Sequence, residues 1–152
     1  MKLLLDTNIL ARLCHPVKGE NYRVVAWLKE LIDRSSFKIY IPEISDYEAR
    51  RGLLHVALRS GRAMTRSLDR LDQLGELLNY LPLTTPVMRR AARLWAESRN
   101  AGRPTAAGEA LDGDVILAAQ ALEVSGVVVT ENVRHLSRLV ATCRWEEVTT
   151  DS

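Results

Sequence analysis

Lys2-Leu3-Leu4-Leu5-Asp6-Thr7-Asn8 is the stretch on which the fold turns. Its three consecutive leucines show no alternation of apolar and polar positions, as a strand buried on both faces of a parallel sheet requires. Asp6 then marks the strand's carboxyl end, the edge at which open α/β sheets bind ligands. Two other acidic stretches have similar placement. Glu48 falls in the first turns of a helix predicted over residues 43–59, behind a strand over 37–41, and Asp112-Gly113-Asp114 is predicted to open a helix ending near Glu123. Acids dispersed in sequence are thus expected to meet at one sheet edge.

Strand and helix alternate outward from this start. Ile9 to Leu13 continues into a first helix broken by Pro16, and residues 20–34 place Val24, Leu28, Leu31 and Ile32 at helical spacing, with Val25 and Trp27 widening the stripe. Residues 37–41 alternate with period two and stop at Pro42, which suits the first turn of the next helix. Gly61 interrupts that helix. Thr65 or Ser67 is expected to cap its successor, with Leu68, Leu71, Leu74, Leu77 and Leu78 as the buried side. Residues 80–83 read as a short strand confined to an edge or an end by Pro82. Thr84-Thr85-Pro86 starts a helix whose Val87, Ala91, Leu94 and Trp95 are predicted to face inward. Residues 101–110 carry two Gly, one Pro and four Ala without periodicity and read as a loop placed to cover the acidic edge. Residues 126–130 form the clearest buried strand after the first, and 145–148 an edge strand.

Length and composition bound the rest. A chain of 152 residues fits one domain, 1–152, with no internal repeat or linker. A hydrophobic fraction of 47% with 26% charged residues excludes a disordered or fibrous chain. No apolar run is long enough to span a bilayer, and Met1 leads into a strand rather than a signal segment, so the cytoplasm is the expected compartment. Cys14 and Cys143 lack metal-ligand spacing and read as incidental thiols. Of the 21 basic residues 17 are Arg, clustered at Arg50, Arg51, Arg59, Arg62, Arg66 and Arg70. Arginines suit bidentate phosphate contacts, and equally pair with neighbouring acids such as Asp69 and Asp72.

Carboxylates gathered without a cation repel one another, so Asp6, Glu48 and Asp114 point to a Mg²⁺ or Mn²⁺ site, which takes hard oxygen ligands. Singly, each acid has a plainer use: Asp6 and Asp112 are good helix caps, and Glu48 has Arg51 to pair with. Thr7 and Asn8 are placed to orient Asp6, and Thr130 to hydrogen-bond a carboxylate or metal-bound water from its strand end. Asp46 reads as a local cap or pair and Glu131 as solvent-facing. His15, His55 and His135 lack zinc spacing, and His135 alone lies near enough to the fourth stretch to meet a phosphate. There is no Gly-rich phosphate loop.

The order Leu3-Leu4-Leu5-Asp6-Thr7-Asn8, Glu48, Asp114-Val115-Ile116-Leu117-Ala118-Ala119 and Val128-Val129-Thr130-Glu131-Asn132 resembles the PIN-domain nucleases over nearly the whole chain. The resemblance implies a three-layer α/β/α fold around a central, mainly parallel sheet. Within that family the chain looks like the VapC-type toxins of toxin-antitoxin pairs. It implies a metal-dependent ribonuclease, with Asp6, Glu48 and Asp114 at the acidic metal-binding positions, Asp112 as an additional acid, an RNA substrate, a homodimer and a cognate antitoxin. Asn132 stands where many members carry a fourth acid, which weakens the case for a second metal. Two other readings bracket this one. A phosphotransferase of the haloacid dehalogenase type requires a second Asp where Asn8 stands and a catalytic Lys that Lys2, Lys18, Lys29 and Lys38 do not supply. An inactive RNA-binding module on the same fold would keep the three acids without cleavage.

Overall fold

The computed structural model describes residues 1–101 and 108–149. Five strands, β1 (Lys2–Leu5), β2 (Lys38–Pro42), β3 (Asn79–Leu81), β4 (Val127–Val129) and β5 (Thr142–Cys143), form one sheet in the order β3-β2-β1-β4-β5, parallel throughout. Helices α1 (Thr7–Cys14), α2 (Asn21–Ile32), α3 (Glu43–Ser60), α4 (Thr65–Leu77), α5 (Thr85–Asn100), α6 (Gly108–Val124) and α7 (Val133–Leu136) flank it. This is the three-layer PIN-like α/β/α arrangement expected from the sequence.

The leucine run explains both layers at once. Leu3 and Leu5 join Ile39, Ile41 and Val129 in a core with Val24, Leu28 and Leu31 of α2, Ala49 of α3 and Leu71 of α4. Leu4, one residue out of phase, joins Tyr40 and Val128 on the opposite face, against Ile44, Leu117, Ala118 and Ala121. All three leucines are fully buried, and truncation of any of them to Ala is of the class that costs about 2–5 kcal/mol. Gly126 lets β4 enter beside β1, since a Cβ there would stand 2.4 Å from Leu4 Cδ1 and 3.2 Å from the Lys2 carbonyl oxygen.

Several boundaries differ from the sequence reading for identifiable reasons. The final edge strand is Thr142–Cys143, while Trp145–Glu147 forms a 3-10 turn whose Trp145 ring packs edge-on to Trp27 at 6.1 Å. Neither Thr65 nor Ser67 caps α4: its N-cap is Met64, and Ser67 is buried against His15 Nδ1 at 3.3 Å. Leu77 and Trp95 are exposed, because each sits at the margin of its helix's apolar stripe. Gly108 to Ala110 are helical, so α6 begins earlier than the predicted acidic start, and the rest of the predicted covering loop lies outside the described residues. Among the described residues no helix is long and apolar enough to cross a membrane.

Candidate functional site

The strand order reverses at β1, which has β2 on one side and β4 on the other. Such a reversal opens a crevice at the carboxyl ends of the two strands concerned. Asp6 follows β1 and Thr130 follows β4, and the Asp6 backbone N–H donates to the Val129 carbonyl at 3.0 Å. Both residues are therefore fixed at the crevice by the sheet itself.

Asp6 is also the N-cap of α1, and the two roles use different oxygens. Oδ1 accepts from the Thr7 backbone N–H at 2.7 Å, while Oδ2 accepts from the Thr130 hydroxyl at 2.7 Å. Thr130 is fully buried, and its oxygen in turn accepts from the Asn132 backbone N–H at 2.9 Å. Asn8 lies at the outer limit of bonding, with Nδ2 3.5 Å from both Asp6 Oδ2 and Thr130 Oγ1. Its Oδ1 accepts from the Glu131 backbone at 3.4 Å. Asn132, exposed at the N-cap of α7, contributes through its main chain.

Glu48 sits on the second turn of α3, and Asp114 on α6. Burial, then the charge of Asp6, raises the pKa of Glu48, with Arg51 opposing at 3.9 Å from Oε2. Burial, then Asp6 and Glu48, pushes Asp114 up to about 6. For Asp6 burial is again the largest cause and raises it, offset in part by the hydrogen bonds from Thr130 and Thr7. The three acids thus feel one another, although Asp114 stands inside α6 rather than at the helix start where the sequence reading put it. Asp112 is exposed and two residues from Asp114, hence on a different helical face, at the rim of the grooves on either side of α6.

Two residues outside the sequence-based set shape this edge. Gly113 leaves room for the Glu48 carboxylate: a Cβ on it would lie 2.7 Å from Glu48 Oε1. The only sequence signal was a glycine between two acids inside an apolar helix. Gln120, fully buried, donates from Nε2 to the Leu81 carbonyl at 2.7 Å and accepts from the Ile44 N–H at 3.3 Å. It thereby supplies the cap that Pro42 cannot give α3 and ties that helix, with Glu48, to β3 and α6. Its polar place in Ile116-Leu117-Ala118-Ala119-Gln120 was the signal.

The Arg cluster divides. Arg50 binds Asp46 at 3.1 Å and Asp72 at 2.7 Å, and Arg70 donates to the Cys14 carbonyl at 3.1 Å, so both serve the fold. Asp46 also accepts from the Tyr80 hydroxyl at 2.8 Å, the local pairing expected of it. Arg59, Arg62, Arg66 and His135 are exposed. Glu131, exposed as expected, pairs with Arg12.

The donors suit a hard cation. All are oxygens, the three acids destabilise one another as anions, and the buried Thr7 Oγ1 next to Asp6 has no hydrogen-bond partner. Among the described residues no three His, Cys, Asp or Glu side chains enclose a metal unaided.

The parallel sheet thus carries an aspartate at its switch point, with two further acids on flanking helices. The PIN domain family model matches residues 3–140, and the chain belongs to that family, whose members are in general nucleases. Among solved structures it is similar to FitAcB from Neisseria gonorrhoeae, with 26% identity, a TM-score of 0.73, and 96% of this chain and 99% of that one covered. VapBC2 from Rickettsia felis, bound to a DNA fragment from its promoter, shares the fold at 18% identity and a TM-score of 0.71, over 95% and 99% of the two chains. VapBC-1 from nontypeable Haemophilus influenzae does so at 19% and 0.70, over 97% and 100%. VapBC neighbours are what the VapC-like resemblance led one to expect. Comparison with curated proteins gave no match.

Proposed function

We propose that this chain is a divalent-metal-dependent ribonuclease that hydrolyses RNA phosphodiester bonds, and that it is the toxin of a toxin-antitoxin pair. The observation carrying this reading is the mutual repulsion of Asp6, Glu48 and Asp114 at the switch point, with one oxygen of Asp6 held by Thr130 and the other by Thr7. Asp6, Glu48 and Asp114 would hold Mg²⁺ or Mn²⁺, with Asp112 as an outer acid. A divalent ion bound there supplies Lewis-acid polarisation of the phosphate and lowers the pKa of its water.

The chain's own groups do the rest. Thr7, Asn8 and Thr130 fix the direction of the Asp6 lone pairs, so the site is preorganised rather than assembled on binding. Ionised Glu48 and Asp114 orient the attacking water, and one of them takes up its proton as the water oxygen bonds to phosphorus; the bond to the ribose oxygen breaks and that oxygen takes a proton from solvent. No enzyme nucleophile is involved. Asn132, neutral and exposed, leaves the site with three principal acids, in keeping with a single metal. Arginines beyond the acidic edge draw the polyanion in. The proposal includes one domain over 1–152, a cytoplasmic location, a homodimer and an antitoxin whose cation would answer the same carboxylates.

Cleavage of labelled single-stranded and structured RNAs with Mg²⁺ or Mn²⁺ tests this, comparing the native chain with Asp6→Asn and Asp114→Asn after a folding check. Metal-dependent cleavage lost in both variants is expected. Full activity in Asp6→Asn would refute the mechanism, and salt-dependent RNA binding without cleavage by any form would favour the binding-module reading.

A further inference from the structure

The acidic edge continues into a groove between α3 and α6 of about 630 Å³, lined by Ile44, Tyr47, Glu48, Arg51, Asp112 and Gly113 among others. Glu48 is shared by the groove and the carboxylate set, so whatever occupies one end is within reach of the other. The volume is that of a small-ligand site and holds a nucleotide.

An exposed aromatic residue alone is ordinary surface. Tyr47 differs in being 55% exposed yet held by Arg51, one turn further along α3, whose guanidinium lies 5.2 Å from the ring centroid. Arg51 is the one cation among the described residues lining this groove, and it stands between the ring and the acid, 3.9 Å from Glu48 Oε2. That distance is well beyond the roughly 2.7–2.9 Å of a formed charge-assisted bond, so Arg51 is free to exchange Glu48 for a phosphate at little cost. Aromatic ring, cation and carboxylate thus line one groove, the three kinds of group that a base, its phosphate and the scissile bond would meet.

Building on the ribonuclease reading, we propose that Tyr47 and Arg51 form the nucleotide subsite next to the acids, Tyr47 stacking on the unpaired base beside the scissile bond and Arg51 taking that nucleotide's phosphate. Stacking on one aromatic ring is open to any base and independent of its edge, so the subsite favours unpaired strands without reading sequence. In a duplex the base faces are already covered, and Tyr47 gains nothing.

The test uses the non-cleaving Asp6→Asn chain with Mg²⁺, titrated against a short labelled single-stranded RNA and against the same RNA in a duplex. Adding Tyr47→Ala or Tyr47→Leu is expected to weaken single-strand binding about tenfold and leave duplex binding unchanged, whereas Tyr47→Phe restores it. Arg51→Gln is expected to lower the salt slope of binding by about one. Equal loss for both RNAs, or none, overturns the subsite. So does intact RNA binding with loss of self-association in sedimentation, which would make this face a contact between copies. If the Asp6-intact chain cleaves RNA while Tyr47→Ala is indifferent, the subsite alone fails. If it neither binds nor cleaves RNA, the ribonuclease reading fails with it.

Discussion

Asp114→Asn is expected to make the metal-free chain more stable while abolishing its chemistry. Burial, and then the charges of Asp6 and Glu48, raise the Asp114 carboxyl from 3.8 to about 6. A displacement of that size corresponds to about 3 kcal/mol, and because Asp114 is only partly buried, solvent screening brings the figure down to about 1–2 kcal/mol. The sign follows from proton binding. Between the unfolded value of 3.8 and the folded value of about 6 the folded chain holds the extra proton, so its stability falls as pH rises through that window and stays lower above it. Asparagine keeps the volume and carries no charge, so it escapes this cost. In urea unfolding with a chelator, the variant should exceed the native chain by about 1–2 kcal/mol near pH 8 and converge with it near pH 4. Added Mg²⁺ should reverse the ranking, stabilising the native chain by mass action and the variant little. A variant no more stable than the native chain near pH 8 without metal would refute the claim that these carboxylates repel.

Two substitutions beyond the acids probe how the site is built. Gly113→Ala places a Cβ 2.7 Å from Glu48 Oε1 and must displace that carboxylate, so Mn²⁺ affinity measured by calorimetry should fall about tenfold. The melting temperature should hold or rise, since Ala is the better helix former by up to about 1 kcal/mol; unchanged affinity would show that Glu48 does not need this space. Gln120→Leu leaves the Leu81 carbonyl and the Ile44 N–H without their buried partner and should cost about 2–4 kcal/mol in urea unfolding. A midpoint unmoved by that change would mean water or a neighbour takes over both bonds.

How much was legible in the sequence depended on whether the signal was local. Leu3-Leu4-Leu5 could be read because burial on both faces leaves no alternation, and its sheet neighbours Ile39, Tyr40, Val128 and Val129 obey the same constraint. Asp6 could be read because it follows a strand end, and Glu48 because it stands in the second turn of the helix behind one, whereas Asp114, inside α6 and far in sequence from any strand, meets them only through the fold. The Asp6-to-Thr130 hydrogen bond spans 124 residues and depends on β4 lying beside β1, an order that follows from the crossovers rather than from either segment. The final edge strand was misplaced because Trp145 and Val148 are apolar for another reason, packing over α2 and the first core.

Asp112-Gly113-Asp114 shows where local rules mislead most. Two acids around a glycine after a Gly- and Pro-containing stretch have the composition of a helix start, yet α6 begins at Gly108 and carries all three inside it. A glycine there weakens the helix, and a half-buried carboxylate near two others weakens the fold; propensity and electrostatics both argue against this arrangement. The two costs are linked, because the missing Cβ at position 113 makes room for the Glu48 carboxylate, whose charge adds to the burial and the Asp6 charge that raise Asp114. Under the proposed metal-dependent reading a cation relieves both penalties, and the reversal of stability by Mg²⁺ in the native chain, absent from Asp114→Asn, is the direct measure of that relief.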